Sequence, residues 1–579
     1  MAGGTLPAPD APLGYALPHY EVFVQCAINA AVHSTASLQP PVCSGDVAAF
    51  VELCMTNTSI LTLDSVSLAL PDGRLLFTDL NETFDQRRTG LVGRNGVGKS
   101  LLGQVLAGQR APSSGQCRRR GPVHLLNQQV IERSTTLADL AQVGSVVAAL
   151  ERIEQGSINP QDFDTVAERW DIREQLQMHL QRNGLGHLDW RQPARSLSGG
   201  QAMRVALAGA WLSGADYLIL DEPSNHLDSN ARAQLLSMIE AWDRGLLVIS
   251  HDRSLLAHMA RIVELSSLGL QAYGGNYSFY AAQKASQMAQ AQQQLARLKQ
   301  QQQRQARELQ RQREDLERHQ ARAGRQARHA NQAKILVDRQ QERSQATAGK
   351  QRRDHRDARQ ALLGKVHDAA REVEQATAIT LHAPTPQRHA GREVLALQAL
   401  RLPHGTRKPL DLRLCLGQRL GLVGDNGSGK STLLRLLNGE LPASPDTLRR
   451  SGETALLDQH CSTLTGHRSV LEHLRQANPV LAQGELRSRL AQLGLDAARI
   501  ELPSSLLSGG ERMKAALAAV LYRERPLDLL LLDEPGNHLD LPSLAALERM
   551  LGQFRGALIV ASHDAVLLEN LALQGYLHL

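Results

Sequence analysis

Two pairs of adjacent carboxylates, Asp221-Glu222 and Asp533-Glu534, carry the chemistry this chain advertises. Each follows a short unbroken apolar run, Tyr217-Leu218-Ile219-Leu220 in one case and Leu529-Leu530-Leu531-Leu532 in the other. Such a run suits a strand buried on both faces of a parallel sheet. The acids would then emerge at its carboxyl end, where open α/β sheets hold ligands. In nucleotide hydrolysis the first carboxylate of such a pair can hold Mg²⁺, and the second can polarise the water that attacks the γ-phosphate. A strand that merely ends in a solvated acidic pair would not repeat, yet Asp-Glu-Pro-Ser-Asn-His-Leu-Asp at 221–228 returns as Asp-Glu-Pro-Gly-Asn-His-Leu-Asp at 533–540.

A second duplicated feature supplies the phosphate site. Gly93-Arg94-Asn95-Gly96-Val97-Gly98-Lys99-Ser100 follows the strand-like Thr89–Val92, and Gly424-Asp425-Asn426-Gly427-Ser428-Gly429-Lys430-Ser431 follows Leu420–Val423; each leads into a helical run. Strand, glycine loop and helix are the context a phosphate-binding loop needs. The glycines let backbone N–H groups point at phosphate oxygens, and the helix N-terminus adds positive potential. Lys99 and Lys430 are expected to reach the β- and γ-phosphates, and Ser100 and Ser431 to ligate Mg²⁺.

Two further motifs keep step with these. Leu197-Ser198-Gly199-Gly200-Gln201 stands 23 residues before Asp221, counted from Ser198, and Leu507-Ser508-Gly509-Gly510-Glu511 stands 25 before Asp533, counted from Ser508. Each opens an Ala/Leu-rich helix and offers N–H donors to an anion; alone, either would be only a helix cap. Downstream, Ile249-Ser250-His251-Asp252 and Ala561-Ser562-His563-Asp564 end another buried strand, and both histidines lie 29 residues beyond their glutamate. A histidine duplicated at fixed distance from a candidate base belongs to its site.

The elements that position these residues recur twice, over 59–280 and 391–579, an internal duplication within a chain of 579 residues that is too long for one core. The predicted fold class is α/β, with two phosphate-loop domains joined by a helical segment at 281–390. Hydrophobic content of 42% and 21% charged residues describe a globular protein, and no apolar run of 18 residues suggests a membrane span. Six cysteines without C-x-x-C spacing point to reduced thiols in a cytoplasmic protein. Residues 1–58 lack any sustained period and read as a disordered leader; translation beginning at Met55 is the sharper reading. Net charge is +6, but residues 281–360 hold 19 Lys and Arg against 8 Asp and Glu, so this segment alone carries +11 and the rest −5. Rich in Gln and Arg and almost free of Pro and Gly, it favours long helix. Gly324 is the expected turn of an antiparallel hairpin, and a single long helix is the alternative.

The ordered set just described resembles the ATP-binding cassette ATPases, and two cassettes around a charged helical linker, preceded by Tyr273-Gly274-Gly275-Asn276-Tyr277-Ser278, resemble their F subfamily. The resemblance implies head-to-tail cassettes that share ATP and Mg²⁺. Site one would use Lys99, Ser100, Gln128, Asp221, Glu222 and His251, closed by Ser508, Gly509 and Gly510. Site two would use Lys430, Ser431, Thr432, Gln459, Asp533, Glu534 and His563, closed by Ser198, Gly199 and Gly200. Gln128 and Gln459 would join the metal ligands. It also implies a monomer that acts on the ribosome through rRNA and tRNA, regulating or rescuing translation or protecting it from antibiotics. Departures from the pattern are Leu101 where Thr432 has a hydroxyl, Gly536 where Ser224 stands, Ala565 opposite Arg253, and no aromatic at the adenine position, where Leu70, Leu402 and His404 fall. The interval from Gly93 to Leu197 exceeds that from Gly424 to Leu507 by only 21 residues, so no large inserted arm is expected, and with 16 residues following His563 no C-terminal extension is expected either. The rival readings are the energising subunit of a membrane transporter, which would not need the basic linker, and a DNA-repair or structural ATPase, which would need a sustained heptad that the linker lacks.

Overall fold

The computed structural model describes residues 61–127, 134–225, 227–327, 356, 360–370, 391–406, 408–459, 461–464, 466–495, 497–537 and 539–579. The leader, with the reading of Met55 as a start, lies outside these residues, as does Gln128.

The first half contributes β1 (Leu61–Ala69), β2 (Leu75–Phe84), β3 (Arg88–Gly93), β4 (Ser114–Arg119), β5 (Val123–Leu126), β6 (Tyr217–Asp221), β7 (Gly245–Ile249), β8 (Arg261–Ser266) and β9 (Gly269–Gly274). The second contributes β10 (Glu393–Leu400), β11 (Leu410–Cys415), β12 (Arg419–Val423), β13 (Leu448–Arg450), β14 (Thr454–Leu457), β15 (Leu529–Asp533), β16 (Ala557–Ala561) and β17 (Gly575–His578). The helices that matter for the sites are α1 (Lys99–Leu106), α2 (Gly199–Leu212), α3 (Ser229–Ala241), the long α4 (Tyr277–Ala327), α5 (Lys430–Asn438), α6 (Gly509–Leu521) and α7 (Leu541–Gln553).

Each half is a mixed α/β domain with a mainly parallel sheet and a small antiparallel one. The larger sheets run β5-β6-β7-β3-β8-β9 and β14-β15-β16-β12-β17; the smaller run β2-β1-β4 and β11-β10-β13. The apolar runs before the carboxylates are buried on both faces. Leu218 and Leu220 enter one core while Tyr217 and Ile219 enter the other, and Leu530 and Leu532 divide from Leu529 and Leu531 in the same way. Burying such a side chain stabilises by about 1.5–3 kcal/mol, so a one-residue slip of β6 or β15 would leave both cores mismatched.

Strand order does what sequence order cannot show. β7 lies between β3 and β6, parallel to both, with Ile249 opposite Leu91 on one side and Asp221 on the other. The phosphate loop, the histidine that follows β7 and the carboxylates that end β6 therefore share one sheet edge. In the second half β16 separates β12 from β15 identically.

α4 continues for 51 residues without a break, passing through Gly324, where the sequence suggested a turn. One glycine costs a helix only about 1 kcal/mol relative to alanine, and the surrounding Ala, Arg and Gln residues absorb that. Residues 360–370 are helical again; the path between, and with it the hairpin, falls outside the described residues.

Candidate active sites

The phosphate loops are shaped by glycines in left-handed conformation. Gly98 (φ 103°) and Gly429 (φ 104°) cap α1 and α5, a geometry that L side chains rarely adopt; a Cβ on Gly98 would also press on the Phe77 ring at 3.2 Å. Gly96 and Gly427 also have positive φ. Lys99 Nζ donates to the carbonyls of Gly93 (2.9 Å) and Arg94 (3.1 Å). Lys430 Nζ donates to Gly424 (2.6 Å) and Asp425 (3.2 Å) and lies 3.0 Å from His563 Nε2. Burial lowers both lysines' pKa values against the pull of the nearby carboxylates.

Asp221 and Asp533 are hydrogen-bonded by Ser100 and Ser431, and burial raises both carboxyls. Asp221 Oδ1 is buried with no hydrogen-bond partner. A serine hydroxyl beside a free carboxylate oxygen is a hard donor pair that suits Mg²⁺, which takes one or two protein ligands and completes its shell with phosphate and water. Among the described residues no group of three or more His, Cys, Asp or Glu could hold a metal.

Glu222 and Glu534 both adopt φ 49°, a strained conformation for a non-glycine residue that must be held by its surroundings. The holding contacts are Glu222 N–H to Ile249 O (2.8 Å) and Glu534 N–H to Ala561 O (2.9 Å). The turn swings each carboxylate towards its histidine: His251 Nε2 lies 3.7 Å from Glu222 Oε1, and His563 Nε2 lies 3.6 Å from Glu534 Oε1. Burial raises Glu222 to about 8 and Glu534 to about 7, partly offset by Lys99 and Lys430. Burial lowers the histidines, to about 3 for His251 and about 4 for His563. Each site thus pairs a neutral imidazole with a carboxyl poised near neutrality, as a general base requires.

Both serine-glycine motifs form helix caps. Ser198 Oγ accepts from Gln201 N–H (3.3 Å) while Ser198 N–H donates to Gln201 Oε1 (2.9 Å). Ser508 and Glu511 repeat the arrangement. A cavity of about 340 Å³ brings Ser508 and Gly509 against Asn95, Gly96, Glu222 and His251; Gly510 is buried behind them in α6. A second cavity, of about 430 Å³, gathers Asn426, Gly427, Gly429, Lys430, Ser431, Thr432, Gln459, Asp533, Glu534, His563 and His404. From the other half it is reached by Leu227 and Arg232; Ser198, Gly199 and Gly200 are not among its lining residues. Ser198 and Gly199 are exposed, and the position of a Gly200 Cβ lies only 2.7 Å from Ala231 of its own half.

The two halves meet through residues the motif reading left without a role. Asp540 Oδ2 accepts from Asn95 N–H (3.1 Å) and Asp228 Oδ2 from Asn426 N–H (3.5 Å), while their other oxygens cap α7 and α3. Repetition of the closing Asp in both stretches was the available signal. Arg253 and Glu548 form a buried cross-domain ion pair at 2.7 Å. Leu101, the apolar departure at site one, packs half-buried on the core beneath the loop.

A protein-family model described as "ABC transporter" matches residues 78–225 and 407–537. The chain is 30% identical over 519 residues to the probable ATP-binding protein YheS of Escherichia coli, covering 86% of this chain and 75% of that one. It is 28% identical over 552 residues to the putative ATP-binding protein YdiF of Bacillus subtilis (89% and 79% covered). It is also 28% identical over 550 residues to the energy-dependent translational throttle protein EttA of Haemophilus influenzae (90% and 92% covered). Among solved structures, an archaeal ribosome recycling factor crystallised with a ribosomal stalk protein shares the fold, with a TM-score of 0.51 at 16% identity over 88% of this chain and 86% of that one.

Proposed function

The chain belongs to the F subfamily of ATP-binding cassette ATPases, a tandem-cassette enzyme that binds ATP, and from that premise we propose that it works on the translating ribosome, with α4 as the element that meets RNA. Lys99 and Lys430 would neutralise the β- and γ-phosphates. Ser100 with Asp221, and Ser431 with Asp533, would hold Mg²⁺, which supplies further charge neutralisation of the triphosphate; Gln459, and by homology of motif Gln128, would complete those sets. Glu222 and Glu534 would accept the proton of the attacking water, while the neutral His251 and His563 donate towards the γ-phosphoryl oxygens. Neither half carries enough donors alone, so ATP would hold the cassettes of one monomer together, and loss of the γ-phosphate contacts would release them.

The observation that carries the ribosomal reading is α4 itself. At about 1.5 Å per residue, 51 helical residues span roughly 75 Å. The segment's +11 charge stands against a remainder of −5. Arg318 and Arg322 lie exposed near its far end. A relative named as a translational throttle supports the same reading. No helix among the described residues is long and apolar enough to cross a membrane. Guanidinium groups pair with phosphate and stack on exposed bases. The test is co-sedimentation with ribosomes across a salt series. Replacing Arg318, Arg322, Arg325 and Arg328 by Gln should weaken binding and flatten its salt dependence, since fewer counterions are released, with basal ATPase activity retained. Unchanged affinity and slope would refute the assignment.

A further inference from the structure

The two sites differ in a charge that no motif announces. Arg232 stands four residues after Asp228, in the first turn of α3. Four residues after Asp540 the second cassette has Leu544, which is buried and packs into its own core. Arg232 Nε donates to Leu227 O (3.2 Å), and its Nη1 pairs with Asp252 Oδ2 at 3.1 Å. The same Nη1 lies 3.5 Å from His563 O in the other cassette. Among the described residues Nη2 makes no hydrogen bond, although the side chain is only 17% exposed. Arg232 therefore lines the site-two cavity, together with Lys430, Ser431, Glu534 and His563, from the opposite cassette. Arg232 also borders the site-one cavity, where Leu544 is its match on the other helix, but its contact across the cassettes is to His563 of site two.

We propose that Arg232 is a phosphate-facing residue of site two supplied in trans, its guanidinium meeting the γ-phosphoryl group of the ATP held by Lys430 and Ser431, and that Leu544 gives site one no such cation from the second cassette. The inference rests on the assignment of site two as an ATP site. Lys430 and Arg232 are the two arginine or lysine side chains lining this cavity, and a triphosphate calls for more than one cation. A planar fork with a free amino group suits a phosphoryl oxygen better than an ammonium does. Charge developing on the transferring phosphoryl would be met by a fixed cation that needs no reorganisation.

The experiment uses the full chain in two backgrounds, Glu222→Gln so that site two alone turns over, and Glu534→Gln so that site one alone does. Single-turnover phosphate release and binding of a fluorescent ATP analogue are measured for Arg232→Leu, which copies the residue at the matching position, and for Arg232→Lys, which keeps the charge and the Asp252 pair. In the Glu222→Gln background, Arg232→Leu should slow phosphate release by roughly a hundredfold to a thousandfold, on the order of losing one preorganised donor. Arg232→Lys, which keeps the charge, should restore part of the rate. In the Glu534→Gln background the rate should change less than about twofold. Equal loss in both backgrounds, or no loss in either, would overturn the role assigned to Arg232. Absence of turnover in Glu222→Gln with Arg232 intact would overturn the site-two assignment and this inference with it. Should Arg232→Leu fail to fold, Arg232→Gln is measured in its place: slowed phosphate release confined to site two supports the role, and a parental rate there overturns it.

Discussion

Replacing Glu534 by Gln should stabilise the nucleotide-free protein, and should do so more as the pH rises. Burial takes this carboxyl from 4.5 in the unfolded chain to about 7 in the folded one. Folding therefore favours the protonated form. The associated stability is complete below about pH 4.5 and is lost as the pH climbs through 7. The full penalty for holding the ionised group is roughly 3 kcal/mol, at about 1.4 kcal/mol per pH unit. Close to half of it is already present at pH 5.5, and nearly all of it at pH 8.5. Glutamine keeps the shape and does not titrate. The advantage of Glu534→Gln over the parent should thus widen by about 2 kcal/mol between pH 5.5 and 8.5. For a domain of this size that is a Tm gap growing by roughly 4–8 °C. Calorimetry of both proteins without nucleotide at the two pH values measures it. A gap that is constant within 1 °C would show that Glu534 is not a buried, pH-poised carboxyl, and would remove the physical basis for its role as base. The strain at φ 49° persists in the variant, so it cancels in the comparison.

Glu222→Gln combined with Glu534→Gln should abolish steady-state phosphate release while ATP still binds; parental turnover would refute the assignment of both bases. Leu101→Thr should tighten nucleotide at site one several-fold, since one neutral hydrogen bond contributes on the order of 1 kcal/mol, at the expense of some packing on the core it touches; titration in the Lys430→Ala background isolates that site, and unchanged affinity would mean backbone amides already satisfy the α-phosphate. Arg253→Ala leaves Glu548 facing the other cassette without its partner at 2.7 Å and should cost about 3–5 kcal/mol, read as a lower Tm; a double-mutant cycle with Glu548→Ala should recover much of the loss, and additivity would refute coupling across the interface. His404→Ala should weaken nucleotide at site two, whose cavity it lines, with little effect at site one; equal affinity at both would exclude His404 from base recognition.

The sequence by itself determined the parts that repeat. Two phosphate loops, two Asp-Glu strands, two capped serine-glycine helices and two histidines at one interval were legible because each is a local pattern, set by strand burial, helix capping or glycine geometry within a few residues, and because duplication separates signal from chance. The α/β class and the long helix followed from composition and period in the same way. Tertiary structure alone decided the rest. That β7 lies between β3 and β6 depends on strand order, to which no local pattern refers. The left-handed turn at Glu222 and Glu534, unfavourable for a glutamate on its own, exists because the neighbouring strand end accepts its N–H. Gly324 continues the helix because its flanks outweigh one weak residue. Least legible of all were the residues that differ between halves. Arg232 and the Arg253–Glu548 pair have no repeated partner to mark them, and their meaning lies in contacts more than two hundred residues away along the chain. Local chemistry is written in short segments, which sequence order preserves; contact between the two cassettes depends on how separate surfaces come together, which only the folded chain displays.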